Sequence, residues 1–251
     1  MKLEVASLSH IGQVRQRNED ALGHFEPTEK SARDEKGSIF VVADGMGGHR
    51  GGEIASKLAV ETIISEFYSS KEGGVVPALR LAFKEANKVI IEKSKDDVDL
   101  FGMGTTCTVL VVRNDDAYFA HIGDSRAYLY RDGELKQITE DHSLVGEMVR
   151  SGIISDEDAR NHPRRNVITR SLGTHEEISA DIPTSPFGLA DGDVLLLCSD
   201  GLTSVVTREE VKKTLESKSP RDACDALVDL ANEKGGKDNI TVQVIKVSAD
   251  G

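Results

Sequence analysis

Two stretches share one pattern: Ser38-Ile39-Phe40-Val41-Val42-Ala43-Asp44-Gly45 and Val194-Leu195-Leu196-Leu197-Cys198-Ser199-Asp200-Gly201. In each, a nearly unbroken apolar run ends on an aspartate and a glycine. A short apolar run without polar alternation reads as a strand covered on both faces. The glycine permits a sharp turn and a close approach of other backbone. Two helical patterns follow each run. After the first, Ala55, Ala59, Ile63 and Phe67 recur four apart within residues 53–68, and Val76, Leu79, Phe83, Ala86 and Ile90 continue at three and four. After the second, periodic segments lie near residues 208–216 and 221–232, and an apolar strand, 240–247, closes the chain. Strand, Asp-Gly, helix, helix, strand therefore occurs twice.

Between the repeats, residues 105–112 and 117–122 read as strands joined at Asn114-Asp115-Asp116. Residues 126–130 and 134–138 flank Asp132-Gly133, a hairpin turn. A sheet buries a face and a helix pair buries a stripe. The expected fold is α+β: a four-layer α/β/β/α sandwich of two antiparallel sheets, each flanked by a helix pair. Residues 139–173 are polar and poor in β-branched runs, and read as a small helical flap. Residues 26–37 and 69–74 read as loose connections. No linker divides the chain, so 1–251 is expected to be one domain.

The 31 basic and 43 acidic residues leave a net charge of −12. That balance argues against nucleic acid, whose phosphates need a basic footprint. The longest apolar runs are five residues, against the roughly 20 that a membrane span needs. Residues 1–5 contain no apolar signal core. Cys107, Cys198 and Cys224 fit neither a disulfide framework nor a zinc site, which points to a reducing, cytoplasmic setting.

The acids need a further explanation. Asp44 and Asp200 end the two central strands, Asp124 follows a strand beside Gly123, and Asp238 precedes the last strand. Glu19 and Asp20 lie close behind Arg15. One aspartate before a glycine is an ordinary turn former; four at strand ends imply convergence. Carboxylates gathered in one cleft cannot all stay ionised unless cations neutralise them. Magnesium or manganese suits such oxygen ligands. Two such ions about 3.5–4 Å apart can activate water for attack on phosphorus, and Arg15 offers a fork that matches two phosphate oxygens.

At these residues the chain resembles the metal-dependent (type 2C, PPM) serine/threonine protein phosphatases, in their compact bacterial form. Arg15-Gln16-Arg17-Asn18-Glu19-Asp20, Asp44-Gly45-Met46-Gly47-Gly48-His49, Gly104-Thr105-Thr106, Gly123-Asp124-Ser125-Arg126, Ser199-Asp200-Gly201 and Asp238-Asn239 are similar to that family's motifs, in its order. The resemblance covers residues 5–247 and implies the same sandwich. It further implies that Asp44 bridges two Mn2+ or Mg2+ ions, with the Gly45 carbonyl on one and Asp200 and Asp238 on the other. Asp124 with Asp200 would hold a third, weaker ion. Glu19 and Asp20 would orient water, and Arg15 would bind the phosphate, which a bridging hydroxide attacks directly. Phosphoprotein substrates, a serine/threonine protein kinase among them, and a monomeric enzyme are expected.

Where the eukaryotic pattern has a histidine after Asp-Gly, this chain has Met46, which cannot donate a proton; His49 is the nearest candidate acid. Arg164 and Arg165, among the flap's basic residues, are expected to bind substrate. Cys107 and Arg113 have the spacing of a cysteine phosphatase loop, but a β-branched strand lies between them. A different two-metal phosphoesterase and a non-catalytic phosphoprotein-binding module are the alternative readings.

Overall fold

A computed structural model describes residues 1–47 and 51–249. The chain opens with β1 (Lys2–His10), β2 (Asp20–Phe25), α1 (Lys30–Lys36) and β3 (Ser38–Met46). Two long helices follow, α2 (Gly51–Ser69) and α3 (Val75–Asp96). A run of strands comes next: β4 (Gly104–Thr105), β5 (Cys107–Arg113), β6 (Asp116–Ile122), β7 (Arg126–Arg131) and β8 (Glu134–Gln137). Two short helices, α4 (Leu144–Arg150) and α5 (Asp156–Asn161), lie in the flap. The chain finishes through β9 (Phe187–Gly188), β10 (Val194–Cys198), α6 (Asp200–Thr203), α7 (Arg208–Ser217), α8 (Pro220–Glu233) and β11 (Ile240–Ser248).

The strands form two antiparallel sheets. One runs β1-β11-β10-β7-β8; the other runs β2-β3-β5-β6-β9, with β4 paired to the end of β3. Side chains alternate across each strand, and the two apolar runs show why each needs no polar face. Ile39, Val41 and Ala43 pack with Ala59, Ile63, Leu79 and Phe83 of α2 and α3. Phe40 and Val42 point the other way and meet Leu195, Leu197, Ile245 and Val247 of the second sheet. Leu196 and Cys198 leave that shared core and pack on Leu215, Cys224 and Leu227 of α7 and α8. Three cores separate four layers, as the repeated pattern requires.

Local signals set the helix starts. Thr207 and Glu210 form a capping box before α7, and Ser219 caps α8 with Pro220 in the first turn. In the flap, Ser143 caps α4 and Ser155 with Asp158 boxes α5.

One stretch differs from expectation. Residues 26–37 were expected to be loose, yet Lys30–Lys36 is helical. It carries no apolar stripe, and tertiary contacts hold it instead. The buried Lys36 donates from Nζ to the Ser70 carbonyl at 3.0 Å, and Arg33 donates to Pro27 O. Tyr68 closes the same corner by donating to Gly37 O at 2.7 Å. Among the described residues, no helix is long and apolar enough to cross a membrane.

Leu195 and Leu196 are both fully buried but belong to different cores. Leu195→Ala and Leu196→Ala are each expected to cost about 2–5 kcal/mol in urea unfolding, with an unchanged denaturant slope. A loss well under about 1 kcal/mol for either would show that its layer is not a packed core.

Candidate metal centre

The ends of several strands meet at one rim of the sandwich, and the acids sit there. Asp44 lies near the end of β3, directly opposite Asp20 at the start of β2. Asp200 follows β10, and Asp238 precedes β11, its antiparallel neighbour. Asp124 stands between β6 and β7, where the chain passes from one sheet to the other. Asp44 therefore feels the charge of Asp20, Asp200, Asp124 and Asp238 together.

Backbone contacts fix this rim. The Asp44 amide donates to Thr106 Oγ1 at 3.0 Å, and its carbonyl accepts from Thr105 Oγ1 and the Thr106 amide, both at 2.9 Å. Gly45 donates to Glu19 O at 3.1 Å. A side chain on Gly45 would run into the Gly52 carbonyl, and one on Gly201 into the Asn239 carbonyl. Only glycine lets these turns approach so closely. Asn239 is buried and spends its whole amide on the N-terminal loop. Its Nδ2 donates to Ile11 O and Arg17 O at 2.9 and 2.8 Å, and its Oδ1 accepts from the Glu19 amide at 2.8 Å. The loop so held carries Arg15, whose guanidinium donates to Asp238 Oδ2 at 2.7 Å. The other Asp238 oxygen accepts from the Asn239 amide at 2.9 Å.

The electrostatics are those of a site short of positive charge. Burial, and after it the neighbouring carboxylates, push Asp44 well above the usual carboxylate range. Burial raises Asp20 to about 7, although Ser199 donates to it at 2.8 Å. Burial and Asp238 raise Asp200 to about 6, with Arg126 and Arg15 opposing. Burial and Asp200 raise Asp124. Burial also raises Glu19, with Arg15 opposing. Two carboxylate oxygens, Asp20 Oδ1 and Asp124 Oδ1, are buried without a hydrogen-bond partner among the described residues. Buried polar atoms are normally paired, and an orphaned carboxylate oxygen beside other carboxylates fits a cation. Among the described residues, no three His, Cys, Asp or Glu side chains stand arranged to hold an ion by themselves. Ions here would complete their shells with backbone carbonyl and water oxygens, as magnesium does.

The remaining expected residues are placed as follows. Glu19 and Arg15 reach the rim from the N-terminal loop. Met46 pairs with Gly104, its thioether against that glycine. His49 lies outside the described residues. Arg164 and Arg165 are both exposed. Of the two, Arg165 lines a cavity of about 410 Å³ between flap and body, together with Arg160, Val149, Val211, Asp124 and Asp200. Arg126 is locked by three bonds to Asp141, the shortest at 2.6 Å. Sequence reading missed Asn239, Ser199 and Thr241 as organisers of the rim. Asn239 adjoins Asp238 and Ser199 adjoins Asp200 within these motifs, but their side chains bond to residues distant in sequence: Asn239 to the N-terminal loop, Ser199 to β2 and β11.

A model of the family described as protein phosphatase 2C matches residues 8–234. The chain is 41% identical over 241 residues to a serine/threonine phosphatase, stp, of Listeria welshimeri, covering 94% of this chain and 92% of that one. Among solved structures, the Staphylococcus aureus serine/threonine phosphatase Stp1 superposes with a TM-score of 0.89 at 34% identity, over 99% of this chain and 96% of that one. The catalytic domain of the serine/threonine protein phosphatase PstP, in complex with two manganese ions, superposes with a TM-score of 0.85 at 34% identity, over 98% and 99% of the two chains.

The raised acids give metal-free protein a definite pH response. Unfolded, these carboxylates ionise near pH 4; folded, Asp200 and Asp20 keep protons to about 6 and about 7. The folded state holds more protons across that window, so stability falls as pH rises through it. His121, lowered to about 4 by burial, opposes this only below its unfolded value near 6.5. In chelator, the melting temperature is expected to drop between about pH 5 and 7, where the raised acids outnumber His121, and saturating Mn2+ to abolish the drop. A metal-free melting temperature that climbs across that interval would refute the crowding of acids.

Proposed function

This chain belongs to the protein phosphatase 2C family, and from that premise we propose that it removes phosphate from phosphoserine and phosphothreonine in proteins, using Mn2+ or Mg2+. The observation that carries this reading is the convergence of Asp20, Asp44, Asp124 and Asp200 on one rim, with oxygens of Asp20 and Asp124 left unpartnered among the described residues.

Asp44 and the Gly45 carbonyl, with Asp200 and Asp238, would hold two ions; Asp124 with Asp200 would hold a third. Such ions acidify a water for attack and neutralise the phosphoryl oxygens. The protein's own groups do the rest. Arg15 is half exposed and, among the described residues, pairs with Asp238 through one nitrogen, so its fork is available to a phosphate dianion. Glu19 and Asp20 orient water in the cleft, Asp20 being fixed by Ser199 at 2.8 Å. Thr105 and Thr106 keep the Asp44 turn from yielding when the cleft fills. The leaving alkoxide needs a proton that Met46 cannot give, and His49 keeps that assignment on its place in the sequence.

The flap faces the same cleft through the cavity bordered by Arg160 and Arg165. We assign Arg165, and with less reach Arg164, to binding the protein substrate. A phosphorylated serine/threonine kinase belongs to the substrate class. The chain is proposed to act as a monomer in the cytoplasm, where its three buried free thiols stay reduced. The domain is taken as residues 1–251, with the flap at 139–173.

Phosphate release from a phosphothreonine peptide is expected to need Mn2+ or Mg2+ and to stop in EDTA. Asp44→Ala and Asp238→Ala are expected to lose at least about 100-fold in kcat while melting cooperatively, in line with loss of transition-state stabilisation. Wild-type turnover in either variant would sink the assignment of ligands.

Arg165→Ala is expected to raise KM for a phosphopeptide several-fold and leave KM for a small aryl phosphate unchanged. Arg164→Ala, off the cavity wall, should do less. Equal effects on both substrates would remove the flap from substrate binding.

A further inference from the structure

A residue near the start of the flap also grips the turn that carries Asp124. His142 is only 2% exposed. Its backbone amide donates to Gly123 O at 2.7 Å, and its ring Nδ1 accepts from the Gly123 amide at 3.2 Å. An accepting Nδ1 puts the ring proton on Nε2, which donates to Asp181 Oδ2 at 3.1 Å. Arg170 donates to the other oxygen of Asp181 at 3.3 Å. His121, with its ring centre 4.9 Å from that of His142, faces the same Gly123 carbonyl through Nε2 at 3.0 Å. Gly123 has φ of +111°, and a side chain there would collide with Thr106. Both backbone polar groups of Gly123 are thus bonded to histidine, and the next residue is Asp124, whose Oδ1 has no partner among the described residues.

The flap closes on the same residue. The Thr169 amide donates to His142 O at 2.8 Å, and the Leu144 amide to Val167 O at 2.9 Å. Just beyond, Leu172 and Thr105 exchange backbone bonds at 3.0 and 2.9 Å, and the Thr105 hydroxyl holds the Asp44 carbonyl. The two ends of the flap are therefore tied to the turns bearing Asp124 and Asp44.

We propose that His142 is a positioning residue: held between Gly123 and Asp181, it sets the Asp124 turn and so fixes how tightly Asp124 and Asp200 hold a divalent ion, making the flap neck and that ion site one unit. This rests on the metal reading given above. Groups that orient metal ligands typically change metal affinity about 10–100-fold when removed.

The test counts Mn2+ ions and their affinities by calorimetry and by electron paramagnetic resonance. It uses the whole chain as wild type, Asp124→Ala, His142→Leu, His142→Asn and Asp181→Ala. Wild type should bind three ions, and Asp124→Ala should lose the weakest. His142→Leu should weaken that ion about tenfold and leave the tighter two unchanged. His142→Asn, whose carbonyl oxygen can replace Nδ1 as acceptor, should recover most of the loss. In an Asp124→Ala background, His142→Leu should change ion binding no further. In metal-free protein, long-range ¹H–¹⁵N spectra should show His142 neutral and protonated on Nε2. If His142→Leu does not melt cooperatively, Asp181→Ala carries the same test, since that side chain is 40% exposed. A wild type with only two ions, or an Asp124→Ala that loses none, overturns the Asp124 assignment and the proposal with it. An unchanged weakest ion in the His142 and Asp181 variants, while Asp124→Ala still loses it, overturns the proposal alone. So does an equal weakening of all ions.

Discussion

Mutual repulsion among buried aspartates governs this molecule. Asp44 has four other carboxylates within electrostatic reach, and the strand ends hold them at one rim. Like charges so placed must either take up protons or be met by cations. The four-layer sandwich supplies the rigidity that keeps them there. Three cores grip the strands from both sides, so the strand ends cannot splay to relieve the strain. In this protein the stable part of the fold holds the unstable part in place.

The supporting contacts show how that is done without further charge. Thr105 and Thr106 satisfy both backbone groups of Asp44. Ser199 donates to Asp20 and accepts from Thr241. Asn239 uses both ends of its amide to tether the loop with Arg15 and Glu19 to the start of β11. These are neutral donors and acceptors, which fix geometry while leaving the charge deficit in place for ions. Arg15 reaches the outermost acid, Asp238, from a half-exposed position. Its charge serves the inner acids only at a distance.

Much of this was legible because the chemistry lies where the periodicity is strongest. Ile39–Ala43 and Val194–Cys198 announce buried strands, and the Asp-Gly that ends each stands out against them. Helices α2, α3, α7 and α8 carry apolar stripes and could be read directly. Lys30–Lys36 could not, since no stripe marks it and its support comes from Ser70 and Pro27. Arg164 and Arg165 are consecutive and chemically identical in sequence, and only the folded flap separates the one that lines the cavity. His142 and Asp181 are far apart along the chain, and no local pattern links an imidazole to the turn it holds. Asn239 was visible as a neighbour of Asp238, but its tether to residues 11–19 exists only in three dimensions.

The flap neck is closed by main chain: Leu144 to Val167, Thr169 to His142, and a bridge between Ser143 and Ile168. Bonds of that kind do not ask which side chains lie between them. Residues 145–166 are thereby released from any duty to the catalytic body beyond fitting its outer wall. Such a segment can drift or be exchanged wholesale, as a cartridge, while the chemistry beneath it stays as it is. An ancestral enzyme could acquire a new clientele in this way without having to reinvent its reaction.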